Sequence, residues 1–93
     1  MKKILVACGS GIATSGMVAT KLNNMLSERG YGGRAYVESD DIKNLDSIIR
    51  NYDIYINLTP IVPLHYDIPS FSGVPFLTGV GEEEVLEGIL KLL

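Results

Sequence analysis

Ile4-Leu5-Val6-Ala7-Cys8-Gly9-Ser10-Gly11-Ile12-Ala13-Thr14-Ser15 carries most of the structural information in this chain. Ile4 to Ala7 is a short, wholly apolar run, and such runs read as strands buried on both faces of a parallel sheet. Cys8 then opens a loop in which Gly9 and Gly11 let the backbone curl tightly. Beyond the loop, Val18, Leu22, Met25 and Leu26 recur at helical spacing, with Lys21, Asn23, Asn24 and Ser27 between them. The pattern is a buried strand, a glycine loop and a helix in direct succession.

The same alternation continues outward. Gly30, Gly32 and Gly33 end the first helix. Arg34 to Glu38 is mixed in polarity and reads as an edge strand. Ser39-Asp40-Asp41 suits the start of a second helix, whose inward stripe is Ile42, Leu45, Ile48 and Ile49. Asp53 to Leu58 reads as a further buried strand, and Pro60, Pro63 and Pro69 mark a loop. Val74 to Leu77 is expected to be the last strand. Gly79-Val80-Gly81 turns the chain into a final helix opened by Glu82, Glu83 and Glu84, with Val85, Leu86, Ile89, Leu90 and Leu93 facing inward. Strands alternating with helices imply an α/β fold: parallel strands, right-handed crossovers and helices on both faces of the sheet.

A chain of 93 residues makes one small domain, 1–93. Hydrophobic residues at 46% against 20% charged favour a packed core over disorder. A net charge of -3 gives no pull toward nucleic acid or an anionic membrane, and no apolar stretch is long enough to insert into one. Lys2 and Lys3 ahead of Ile4–Cys8 look like a shortened lipoprotein signal, but the apolar part is too short for a signal peptide. The single cysteine excludes an internal disulfide or a redox pair and fits the reducing cytoplasm.

That cysteine is the candidate nucleophile. The N–H groups of Gly9 through Ser15 can form an anion cradle, strengthened by the positive end of the following helix. A thiol there is expected to ionise below the ordinary value of about 8.5. Thr14 and Ser15 add hydroxyl donors. The bland alternative, a small buried hydrophobe at a strand end, fits less well beside two glycines and the hydroxyls of Ser10, Thr14 and Ser15. Gly9-Ser10-Gly11 starts a dinucleotide fingerprint, but Thr14 stands where the third glycine belongs. No Gly-Lys-Ser/Thr ending follows, so the loop is not a nucleotide-triphosphate loop. Cysteine phosphatases carry Cys, five residues, Arg, then Ser or Thr. Cys8 and Ser15 match that pattern, but Thr14 replaces the arginine that would clamp the phosphoryl oxygens. A phosphoryl carrier therefore ranks ahead of a phosphatase or a regulatory phosphate-binding module.

The quoted stretch, with Asp67-Ile68-Pro69 and Gly73-Val74-Pro75-Phe76-Leu77-Thr78-Gly79-Val80-Gly81, resembles the IIB components of the bacterial sugar phosphotransferase system over nearly the whole chain. The later segment is most similar to the galactitol type, ahead of the lactose or cellobiose type. The resemblance implies a three-layer α/β/α sandwich with a four-stranded parallel sheet, similar to the small cysteine phosphatase fold. It implies a sugar phosphotransferase in which a IIA phosphohistidine donates to Cys8. The phosphocysteine then donates to galactitol or a related polyol held by the IIC membrane permease. Gly9, Ser10, Gly11, Ile12, Ala13, Thr14 and Ser15 would hold the phosphoryl group, with no metal and no organic cofactor. Pro60 to Leu64 is apolar for a loop and suits either a partner contact or a fold over the sheet. His65 reads as an exposed histidine, because a thiolate needs no general base. Asp67 lies in the same loop, and the sequence does not place it. Ile12 and Met17 read as either contact or core residues.

Overall fold

Burial of the first strand on both faces organises the molecule, with Ile4, Leu5, Val6 and Ala7 all fully buried. The computed structural model describes residues 2–8, 12–58 and 68–93, with the side chains of residues 8, 12–14, 42, 45 and 46 outside that description. The elements run β1 (Lys2–Cys8), α1 (Ile12–Glu28), β2 (Ala35–Asp41), α2 (Leu45–Ile48), β3 (Ile54–Asn57), β4 (Ser70–Ser72), α3 (Val74–Thr78) and α4 (Glu82–Leu90). Single 3-10 turns at Ile42–Asn44 and Ile49–Asn51 flank α2.

All four strands are parallel, in the order β2-β1-β3-β4. β1 therefore has a neighbour on each side, which explains its unbroken apolar run. Ile4 and Val6 face one way and pack with Val18, Leu22 and Leu26 of α1, Ile54 and Ile56 of β3, and Leu86 and Ile89 of α4. Leu5 and Ala7 face the other way and pack with Tyr55 and Ile49. The sheet is covered on one face by α1, α3 and α4 and on the other by α2 and its flanking turns, giving three layers of unequal thickness.

Helix ends follow their residues. After Glu28 the chain closes with Gly30 at φ 82°. Tyr31 N–H donates to Leu26 O at 2.8 Å and Gly30 N–H to Ser27 O at 3.1 Å, the paired bonds of a Schellman cap. On α1, Lys21 reaches both later helices. Its Nζ donates to Phe76 O at 3.2 Å in α3 and pairs with Glu82 at 2.6 Å in α4. Just past the end of α1, Arg29 pairs with Glu83.

One expected element is different. Val74 to Leu77 belongs to helix α3, and the fourth strand is the preceding segment Ser70–Ser72. Pro75 sits in the first turn of α3, where its fixed φ suits a helix and its missing N–H costs nothing. Gly73 makes the strand-to-helix turn against the sheet. A Cβ at Gly73 would lie 2.5 Å from Leu58 Cδ2 and 2.8 Å from Ile56 Cγ2, so only glycine allows this approach. The helix pattern expected from Ile42 to Ile49 is realised as α2 between two 3-10 turns. Ile49 is buried and Ile48 half-buried, as the stripe requires.

Candidate phosphoryl-transfer site

Ligands of open parallel sheets bind beyond the carboxyl ends of the strands, where neighbouring connections leave in opposite directions. Here the chain passes from β1 to β2 on one side, then returns to place β3 on the other. The switch lies between β1 and β3, and Cys8 is the last residue of β1. Leu58 N–H donates to Ala7 O at 3.3 Å and prolongs the β1–β3 pairing right up to that point.

Three residues separate Cys8 from the start of α1 at Ile12. The 17-residue helix brings its N-terminal N–H groups to the end of β1, and its first turn contains no acidic side chain. The contrast with α4 is informative: α4 begins with Glu82, Glu83 and Glu84, which occupy its positive end. The start of α1 has no such carboxylate of its own and suits an incoming anion.

Of the residues expected to hold phosphate, Ile12, Ala13, Thr14 and Ser15 form the first turn of α1. Ser15 is fully buried. Gly9, Ser10 and Gly11 lie outside the described residues, as do Pro60 to Leu64, His65 and Asp67. Met17 is 70% exposed, which settles its reading as a surface residue rather than a core one. It borders a groove of about 900 Å³ between α1 and α3, with Leu77, also exposed, on the other lip. Among the described residues no helix is long and apolar enough to cross a membrane.

β2 brings Asp41 to the same end of the sheet as the register partner of Cys8. Sequence reasoning placed Asp41 only at a helix start. Its Oδ1 does accept from Lys43 N–H at 3.0 Å, as a helix-start carboxylate should. Its place beside the cysteine depends on strand order and register, which no local pattern in the sequence announces.

A cysteine closing an inner strand of a parallel sheet, three residues before a helix start free of acidic side chains, defines an α/β protein whose strand-end helix start suits an anion. Comparison with known proteins narrows the class. Residues 3–87 match the family model described as "PTS system, Lactose/Cellobiose specific IIB subunit". The chain is 33% identical over 93 residues to the Escherichia coli (strain K12) protein named "Putative phosphotransferase enzyme IIB component SgcB", covering 100% of this chain and 98% of that one. It is 25% identical over 92 residues to the galactitol-specific EIIB component of the same strain, covering 99% of this chain and 96% of the other. The galactitol-specific EIIB component of Shigella flexneri is 26% identical at the same coverage. This chain belongs to the IIB family of the phosphotransferase system. IIB components are sugar phosphotransferases that work with IIA and IIC partners.

Proposed function

We propose that Cys8 is the phosphoryl carrier: it takes phosphate from a IIA phosphohistidine and passes it to a sugar held by the IIC membrane partner. The observation that carries this reading is the position of the sole cysteine, at the carboxyl end of an inner strand and three residues from a helix start free of acidic side chains. In the first step the thiolate attacks phosphorus, the S–P bond forms, and the N–P bond breaks with its electron pair returning to the imidazole. In the second, a sugar hydroxyl attacks in line, the O–P bond forms, the hydroxyl proton is released, and the thiolate leaves. The main-chain N–H groups from Gly9 through Ser15 hold the phosphoryl oxygens in both steps. Thr14 in place of an arginine removes the clamp with which a phosphatase would hurry the group to water. The exposed Met17 and Leu77, close to this end of the sheet, belong to the surface presented to the partners.

The acceptor we propose is galactitol or a related polyol, supported by two relatives named for galactitol. The setting is the cytoplasm. Incubation with phosphoenolpyruvate, the general relay proteins and a IIA, read by mass spectrometry, tests the carrier step. The wild type and His65→Ala gain one phosphoryl group and Cys8→Ser gains none, since a serine hydroxyl is a far weaker nucleophile than a thiolate. Phosphate found on His65, or retained in Cys8→Ser, overturns the reading.

A further inference from the structure

Cys8 and Asp41 end β1 and β2 side by side as register partners. Neighbouring strands lie about 4.8 Å apart, so a carboxylate-bearing residue stands one strand spacing from the only cysteine. Asp40, one residue earlier, pairs in register with Ala7. Alternation along β2 puts Asp40 and Asp41 on opposite faces of the sheet. Their bonds differ as well. Asp40 Oδ1 accepts from Asp41 N–H at 2.7 Å and from Asn44 Nδ2 at 2.8 Å, whereas Asp41 Oδ1 accepts from Lys43 N–H at 3.0 Å. That last bond holds the half-buried Asp41 at the point where β2 turns into its helix.

The other described groups around the end of β1 offer little opposing charge. β3 supplies Asn57, which is neutral, and α1 has no charged side chain from Ile12 to Thr20. The first charge on α1, Lys21, is paired with Glu82. Lys43, just past Asp41, is exposed to solvent.

We propose that Asp41 sets the phosphoryl-transfer potential of Cys8. Its negative charge opposes the thiolate, and opposes a phosphoryl group bearing about two negative charges more strongly. When that group moves on, the S–P bond breaks, an O–P bond forms on the acceptor, and the electron pair stays on sulfur. The charge facing Asp41 falls from about two to one, so onward transfer relieves repulsion. Asp41 thus counteracts the helix start: the N–H groups hold the phosphoryl group in place, and the carboxylate keeps it from settling there. The consequence for phosphoryl flow rests on the carrier reading, while the electrostatic coupling is measurable without it.

The test is the pH dependence of Cys8 alkylation by iodoacetamide, a neutral reagent, in the full-length unphosphorylated chain. Asp41→Asn keeps an acceptor for Lys43 N–H and removes the charge. Its alkylation midpoint falls below that of the wild type by about half to one pH unit. Molar salt narrows this gap. Asp41→Glu, which keeps the charge, stays near the wild type, and Asp40→Asn moves by less than half as much as Asp41→Asn. No shift in Asp41→Asn, or an equal shift in Asp40→Asn, overturns the proposal. Failure of the carrier reading is a separate result, phosphate retained in Cys8→Ser, which leaves the alkylation midpoints untouched.

Discussion

At the scale of single residues, the second face of the sheet holds a titrating group whose behaviour follows from its neighbours. Tyr52 donates its hydroxyl to Glu38 Oε2 at 3.2 Å. Burial, then the Glu38 carboxylate and its hydrogen bond, push the Tyr52 hydroxyl up to about 12, with Asp40 and Tyr36 adding to the rise. An unfolded tyrosine ionises near 10. Between those two values the folded chain binds more protons than the unfolded one, so stability falls as pH rises through this window and is intact below it. Tyr52→Phe removes this contribution. We therefore expect the urea midpoint of the wild type to drop more steeply from about pH 9 to about pH 11.5 than that of Tyr52→Phe. Parallel curves for the two proteins would show that Tyr52 ionises equally easily in both states. The sequence shows five tyrosines without a usable pattern, because what separates Tyr52 from Tyr55 is register and burial. Tyr55 is fully buried in the second core cluster, while Tyr52 stands at its margin beside a carboxylate.

At the scale of elements, the sequence was most legible where burial was continuous. β1, β3, α1 and α4 each carry an apolar run or stripe, and each lies where that signal puts it, with Ile4, Leu22, Ile54 and Leu86 all fully or almost fully buried. Val74–Leu77 misleads because four apolar residues fit a buried strand or a helical turn equally well. The true fourth strand, Ser70-Phe71-Ser72, borders only β3, so its serines remain exposed and leave no apolar signature. The other edge strand is protected by a side chain. Asn23 of α1 donates from Nδ2 to Val37 O and accepts Val37 N–H at Oδ1, both at 3.0 Å. Its amide thus occupies both main-chain groups of Val37, which β2 would otherwise offer to a further strand. Asn23→Ala should cost about 1–2 kcal/mol in urea unfolding, because both groups are partly buried. Asn23→Asp should cost at least as much, since a carboxylate accepts from Val37 N–H but has no donor for its carbonyl. A near-neutral Asn23→Asp would show that the carbonyl side of this contact contributes nothing.

At the scale of the whole molecule, the proposed site sits at one end of the sheet and the main core packs along its face. Cys8, Asp41 and the start of α1 lie at the carboxyl ends of the strands. Past the end of α4, Leu93 borders a polar cavity of about 500 Å³ with Lys2, Arg34 and Asp53 at the amino ends. Between these regions α4 seals the main core with Leu86 and Ile89, both fully buried. The site end was only partly readable: the cysteine loop announces itself by residue type, but Asp41 reaches it only through pairing across 32 residues of intervening chain. This division predicts that stability and phosphoryl acceptance can be changed independently. Ile89→Val removes one buried methylene from the main core and should cost about 0.5–1.5 kcal/mol. For a domain of this size that lowers the melting temperature by a few degrees, since about 1 kcal/mol corresponds to 4–8 °C. The fraction of folded protein phosphorylated by the relay should stay at the wild-type level. Cys8→Ser should show the reverse, with phosphorylation lost and the folded state retained. A fall in labelling of fully folded Ile89→Val would mean that the packing of α4 reaches the cysteine loop, through the Lys21 bridge from Glu82 to α1, and that the core and the site are mechanically coupled.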